Sequence, residues 1–234
     1  MKQIRDFIER NHHFSILLLM IPIQVWFQYL EANLQPQYMT QTLLDTQIPF
    51  VREFIIPYVL WFIYVPFGLI YLGLHSKRDF YKLFLALCGG MAMANIVFSV
   101  FPNAQGLRPV IHSDDPFCTL IKFIYATDTP TNVCPSLHVI EAVAVNAALQ
   151  HSTAFSERRY RKTVSSIYTL LVCLSTVFIK QHAVVDVFFG LIVAAAFYIP
   201  LYIIPEYRLR RNLKFSLKEP ISANDSEDCH ASHA

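Results

Sequence analysis

Apolar residues fall in six runs separated by polar ones: about residues 14–30, 54–74, 80–101, 136–150, 164–179 and 183–204. A mostly apolar stretch of roughly twenty residues, wound into an α-helix, crosses the hydrocarbon core of a bilayer. The pattern therefore predicts an all-α integral membrane protein, a six-transmembrane helical bundle. Ahead of the first run, Ile4, Phe7 and Ile8 share one helical face with charges opposite, which predicts an interfacial N-terminal helix over residues 1–13. No small-residue cleavage site follows the first run, so it reads as an uncleaved anchor rather than a signal peptide. Pro57 and Pro66 interrupt the second run, where neighbouring helices can satisfy the freed carbonyls. Gly89-Gly90, with Ala92 and Ala94, predicts close approach of another helix to the third. A long polar segment, 102–135, separates the third and fourth runs. No internal repeat or linker divides the chain. One six-span membrane domain is expected over residues 1–220, and a disordered cytoplasmic tail over 221–234.

Composition agrees. Charged residues make up only 15% of the chain against 54% hydrophobic, where a soluble domain carries about 25% charged residues. A net charge of +2 gives no pull towards nucleic acid. The distribution of the basic residues says more. With the N-terminus inside and sides alternating, fifteen of the nineteen Lys and Arg fall on the inner side, leaving Arg52, Arg108, Lys122 and Lys180 outside. The positive-inside rule then puts both termini in the cytoplasm. None of the five cysteines is spaced for a metal; Cys118 and Cys134 share one loop, and whether they pair is open.

Three features converge on the non-cytoplasmic face of that topology. They are Arg108-Pro109 after the third run, Cys134-Pro135-Ser136-Leu137-His138 at the start of the fourth, and the stretch from Ser175 through His182 to Asp186 between the fifth and sixth. His182 and Asp186 are four apart and share a face on a helix. The remaining histidines read as ordinary interface residues. Ionisable groups at membrane depth are costly and mark functional sites; here a guanidinium, two imidazoles and a carboxylate come to one face.

Pro-Ser-Leu-His, followed by Ser-Thr, five residues, His, three residues and Asp, resembles the type 2 phosphatidic acid phosphatase superfamily over roughly residues 95–190. Leu137 and Thr176 are closest to its inositol phosphorylceramide synthase-like branch. Two positions depart from the phosphatase pattern: Phe101 stands where a lysine is usual, and Thr176 where a second arginine is usual. The resemblance implies a catalytic core at about 95–190 and covalent phosphoryl transfer without metal or other cofactor. It implies His182 as nucleophile, Asp186 fixing its tautomer, and His138 as general acid. Arg108 would bind the phosphoryl oxygens, with Ser136, Ser175 and Lys180 as further substrate-binding candidates. The implied substrate is a lipid phosphate in the bilayer. Water as acceptor makes a phosphatase and an alcohol makes a phosphotransferase, and the residues leave both open. Two other classes stand beside these: a zinc hydrolase using His138, His182 and Asp186, and a non-enzymatic membrane scaffold. Oligomeric state is unknown from the sequence.

Overall fold

The computed structural model describes residues 9–156 and 159–216. The helical first eight residues and the disordered 221–234 tail expected from the sequence lie outside the described residues, as does Cys229. A 3-10 run, His12–Leu19, leads into α1, Met20–Asn33. A two-residue strand β1, Tyr38–Met39, and a one-turn helix α2, Leu43–Gln47, follow. The long helices α3, Ile55–His75, and α4, Lys77–Val100, meet at Ser76. Ser76 caps α4 by accepting from the Asp79 N–H. Strand β2, Asn103–Ala104, pairs parallel with β1. Helix α5, Pro116–Thr127, comes next, then α6, Leu137–His151, the four-residue α7, Thr153–Ser156, α8, Arg159–Phe178, and α9, Val184–Tyr198. Residues from Ile199 onward form a separate compact unit, a π-helical turn Ile199–Ile203 followed by α10, Ile204–Ser216.

Four helical stretches among the described residues are long and apolar enough to cross a membrane: His12–Asn33, Arg52–His75, Lys77–Val100 and Val184–Leu209. The chain is a helical membrane protein. Helices α6 and α8 occupy the fourth and fifth runs but fall short of that standard for different reasons. Fifteen residues give α6 a length of about 22 Å against a hydrocarbon core of about 30 Å. Helix α8 has the length, but it starts on Arg159, Arg161 and Lys162 and carries a row of hydroxyls. Those hydroxyls are used internally: Ser165 donates to Asn146 Oδ1 at 2.8 Å, and the Tyr64 hydroxyl meets Ser165 Oγ at 2.7 Å. Hydroxyl contacts of this kind hold helices together where no hydrophobic force acts between them.

Helix α6 is the centre of the bundle, packed against α3, α4, α8 and α9. Its alanines, Ala142, Ala144, Ala147 and Ala148, are buried because helices approach it from several sides. Small residues on its partners complete the fit. A side chain on Gly90 would meet Ile140 Cγ2 at 2.5 Å, and one on Gly89 would overlap the Phe197 ring. The glycine pair thus serves close packing, as its sequence setting predicts. The polar segment 102–135 is partly helical rather than a plain loop. Asp115 accepts from the Phe117 and Cys118 N–H groups, and Pro116 fills the first helical position, a strong start signal for α5. Cys118 and Cys134 are both buried free thiols, so they form no disulfide here.

Candidate active site

Two chain reversals bring the histidines together. Helix α8 ends in a Schellman motif, with Lys180 N donating to Val177 O at 3.1 Å and Gln181 N to Thr176 O at 2.9 Å. Lys180 takes the left-handed position of that motif at φ 59°, where glycine is usual. Its ammonium explains the exception: Nζ donates to the carbonyls of Asp45 and Ile48 at 2.8 and 2.6 Å, locking α2 over the turn. His182 N donates to the Thr176 carbonyl at 2.9 Å. Helix α9 then starts with Asp186 reaching back: its Oδ2 accepts from Ala183 N at 2.8 Å, half of a capping box. Asp45 Oδ1 takes the Val184 N–H at 2.7 Å. His182 therefore lies in the turn just before α9, not on the helix, yet within reach of Asp186.

The other reversal precedes α6. Asn103 uses its whole amide on it: Oδ1 accepts from the Val133 and Cys134 N–H groups, and Nδ2 donates to the Phe101 and Cys134 carbonyls. Gln105 Nε2 donates to the Lys180 carbonyl at 3.0 Å, tying the same strand to the His182 turn. Ser136 caps α6 and donates its backbone N–H to the Asp186 carbonyl at 3.0 Å. Gly190 closes the seam, since a Cβ there would lie 3.0 Å from the Ser136 carbonyl and 3.1 Å from Val139 Cβ.

The result is a buried row. His138 Nδ1 lies 3.3 Å from His182 Nε2, and His182 Nδ1 lies 3.5 Å from Asp186 Oδ2. The second contact is too long and poorly aimed to be a hydrogen bond, and both His182 Nδ1 and Asp186 Oδ1 are buried without a hydrogen-bond partner. Both atoms are thus unspent. The Tyr58 and Trp61 rings of α3 pack against the His138 ring, with centroids 4.6 and 4.5 Å away. Cys134 sits beside Asp186; burial, with the carboxylate adding, pushes its thiol up to about 12, so it stays a neutral S–H.

The cavity at this row is lined by Phe27, Asp128, Thr129, Thr131, Asn132, Val133, Leu137, His138, Gln181 and His182. The residues singled out from the sequence divide accordingly. His138, His182 and Asp186 come together. Ser136, Ser175 and Lys180 do not line the cavity: Ser136 caps α6, the Ser175 hydroxyl donates to Val172 O at 2.7 Å, and the Lys180 ammonium is held by its two carbonyls. Arg108 lies next door. Its Nη1 and Nη2 donate to the Tyr125 and Asp128 carbonyls at 3.0 and 2.6 Å, at the C-terminal end of α5, and its plane rests 4.5 Å from the Tyr125 ring. Its Nε–H is buried without a partner. Burial pulls the guanidinium below its ordinary value, with the Asp128 carboxylate acting against that shift; an arginine remains charged throughout. Asp128, Asn132 and Gln181 were not singled out from the sequence. Gln181 had a signal, its place directly before His182, whereas Asp128 and Asn132 sit in a polar segment with no motif around them.

In this helical membrane protein a His–His–Asp row stands beside the N-terminus of α6. The family model described as the PAP2 superfamily matches residues 83–210, and the chain belongs to that superfamily. No curated protein and no solved structure matches it.

Proposed function

We propose that this protein is a membrane enzyme that transfers the phosphoryl group of a lipid phosphate ester through a phosphohistidine on His182. The single observation that carries the reading is the buried row His138–His182–Asp186 in a member of the PAP2 superfamily. The carboxylate beside Nδ1 of His182 favours the proton on that nitrogen, leaving Nε2 as the free lone pair. Its neighbour His138 then donates through Nδ1–H. At rest that proton covers the nucleophile. A phosphoryl group entering between the rings exposes Nε2 to phosphorus and presents the His138 proton to the leaving oxygen.

In the first step Nε2 forms a bond to phosphorus, the ester P–O bond breaks, and the departing oxygen takes the Nδ1 proton of His138, which enters the step as the imidazolium and leaves it neutral. His182 becomes cationic, and the Asp186 carboxylate beside its Nδ1–H offsets that charge. In the second step an incoming O–H gives its proton to His138, its oxygen bonds phosphorus, and the P–N bond breaks. Arg108, through Nε–H and the N–H groups its carbonyl bonds leave free, and the N-terminus of α6 supply the positive potential for the phosphoryl oxygens.

The acceptor in the second step distinguishes two enzymes. Leu137 and Thr176 favour the inositol phosphorylceramide synthase-like branch, in which an alcohol accepts; water as acceptor makes a lipid phosphatase. A zinc hydrolase is less favoured by the geometry. Asp186 and His138 address opposite nitrogens of His182, so the three form a line rather than a shell around one point. The active site is assigned to the non-cytoplasmic face of six spans, on the distribution of basic residues. The test is incubation of purified protein with a panel of phospholipids in excess chelator, with and without alcohols. Inorganic phosphate marks hydrolysis and a new phosphodiester marks transfer. Activity only after zinc is restored returns the metal reading, and no product under any condition contradicts the enzymatic one.

A further inference from the structure

The cavity wall next to the histidines carries acceptors rather than cations. Among the described residues, no Lys or Arg lines it. Asp128 Oδ2 accepts from the Tyr58 hydroxyl at 3.0 Å and from Gln181 Nε2 at 2.8 Å, while Oδ1 takes no hydrogen bond among the described residues. Gln181 is 2% exposed, spends its Nε2 on Asp128 and Tyr58, and leaves Oε1 buried without a partner. The Tyr58 ring that anchors this carboxylate also packs on His138. Two acceptors without donors, one of them deeply buried, thus stand beside the proposed acid. A buried acceptor left unpaired costs about 1–3 kcal/mol, which a ligand donor recovers.

The geometry points to a hydroxyl-binding subsite formed by Asp128 and Gln181, which selects phosphate esters whose alcohol portion carries a second hydroxyl close to the ester oxygen. This inference rests on the phosphoryl-transfer reading and deepens it. Phosphate itself is an unsuitable occupant, because a carboxylate oxygen repels it and supplies no proton. An ammonium group is the less favoured occupant, because Arg108, whose Nη2 holds the Asp128 carbonyl, already offsets the carboxylate charge. A hydroxyl supplies the one thing both acceptors lack, a neutral donor, and the ester oxygen beside it falls at His138.

The test uses the intact protein in detergent and four long-chain alkyl phosphates. They carry hydroxyl, fluorine, hydrogen or amino on the carbon adjacent to the ester carbon. Fluorine keeps the size and polarity of hydroxyl but has no proton. The wild type should turn over the hydroxy ester with a kcat/KM at least about tenfold above the fluoro and deoxy esters. In Asp128→Asn, the Tyr58 and Gln181 donors keep the amide oxygen facing them, so the NH2 turns to the cavity in place of the acceptor. The hydroxy-to-fluoro ratio should then fall to about one. Phosphoprotein formed from an aryl phosphate, which offers no such hydroxyl, reports whether that variant is folded; if it is not, the wild-type series decides alone. Equal turnover of the four esters, or a preference for the amino ester, overturns the subsite while leaving the enzymatic reading standing. Turnover of none of them overturns the subsite, and overturns the enzymatic reading as well when the phospholipid panel also gives no product.

Discussion

At the scale of single residues, Arg108 shows how one side chain serves both structure and chemistry. It caps the end of α5 with two N–H groups and keeps Nε–H unpaired near the cavity. Lysine keeps the charge and loses the planar fork, so Arg108→Lys should lower kcat/KM about a hundredfold, roughly 2.7 kcal/mol of transition-state stabilisation. Thermal unfolding measured alongside separates that loss from a weakened α5. Near-normal turnover would mean that Arg108 only caps the helix. The two histidines and Asp186 were legible in the sequence because motif order carries them. Asp128, Gln181 and Asn103 were not. Their roles depend on where long-range folding puts an amide or carboxylate, as with Asn103 meeting Cys134 thirty-one residues on, and no local pattern encodes that.

At the scale of elements, boundaries read from apolar runs agree with the helices where lipid-facing hydrophobicity sets them, as in α3 and α4. They miss where polarity is compatible with helix. The basic Arg159, Arg161 and Lys162 are good helix formers and belong to α8, and α5 hides in a polar segment despite its Asp115-Pro116 start. The Lys180 turn offers a test of what holds the nucleophile's loop. Lys180→Gly relieves a left-handed lysine, a gain of about 1 kcal/mol. It also deletes two charge-assisted hydrogen bonds to the Asp45 and Ile48 carbonyls, each worth roughly 1.5–3 kcal/mol. The loss outweighs the gain, so the variant should unfold at lower temperature and turn over more slowly. A more stable Lys180→Gly protein would show that α2 does not brace the turn.

At the scale of the whole molecule, the family and the helical membrane character were both legible in the sequence. The number of spans reads differently by the two routes: six apolar runs, but four helical stretches that meet a length and apolarity standard. The difference lies in α6, which is short and buried among other helices, and in α8, whose basic and hydroxyl residues lower its apolarity although Val164, Ile167 and Leu170 are exposed. The proposed topology puts Tyr160, exposed at the start of α8, in the cytoplasm. A single cysteine at that position in an otherwise cysteine-free protein should resist an impermeant maleimide until the membrane is permeabilised. Labelling of intact cells from outside would invert the topology and move the site to the other face.

The covalent role of His182 is the central claim, and rapid-quench trapping of acid-labile phosphoprotein tests it most directly. With an activated aryl phosphate, whose leaving group needs no acid, the parent protein and His138→Ala should both form phosphoprotein, and His182→Ala should form none. On a lipid phosphate, whose alkoxide leaves poorly, His138→Ala should lose nearly all turnover. Phosphoprotein in the His182 variant but not in the His138 variant would reverse the two roles. Its absence from all three proteins, with turnover of the parent intact, would contradict the covalent mechanism and leave direct attack by the acceptor in its place.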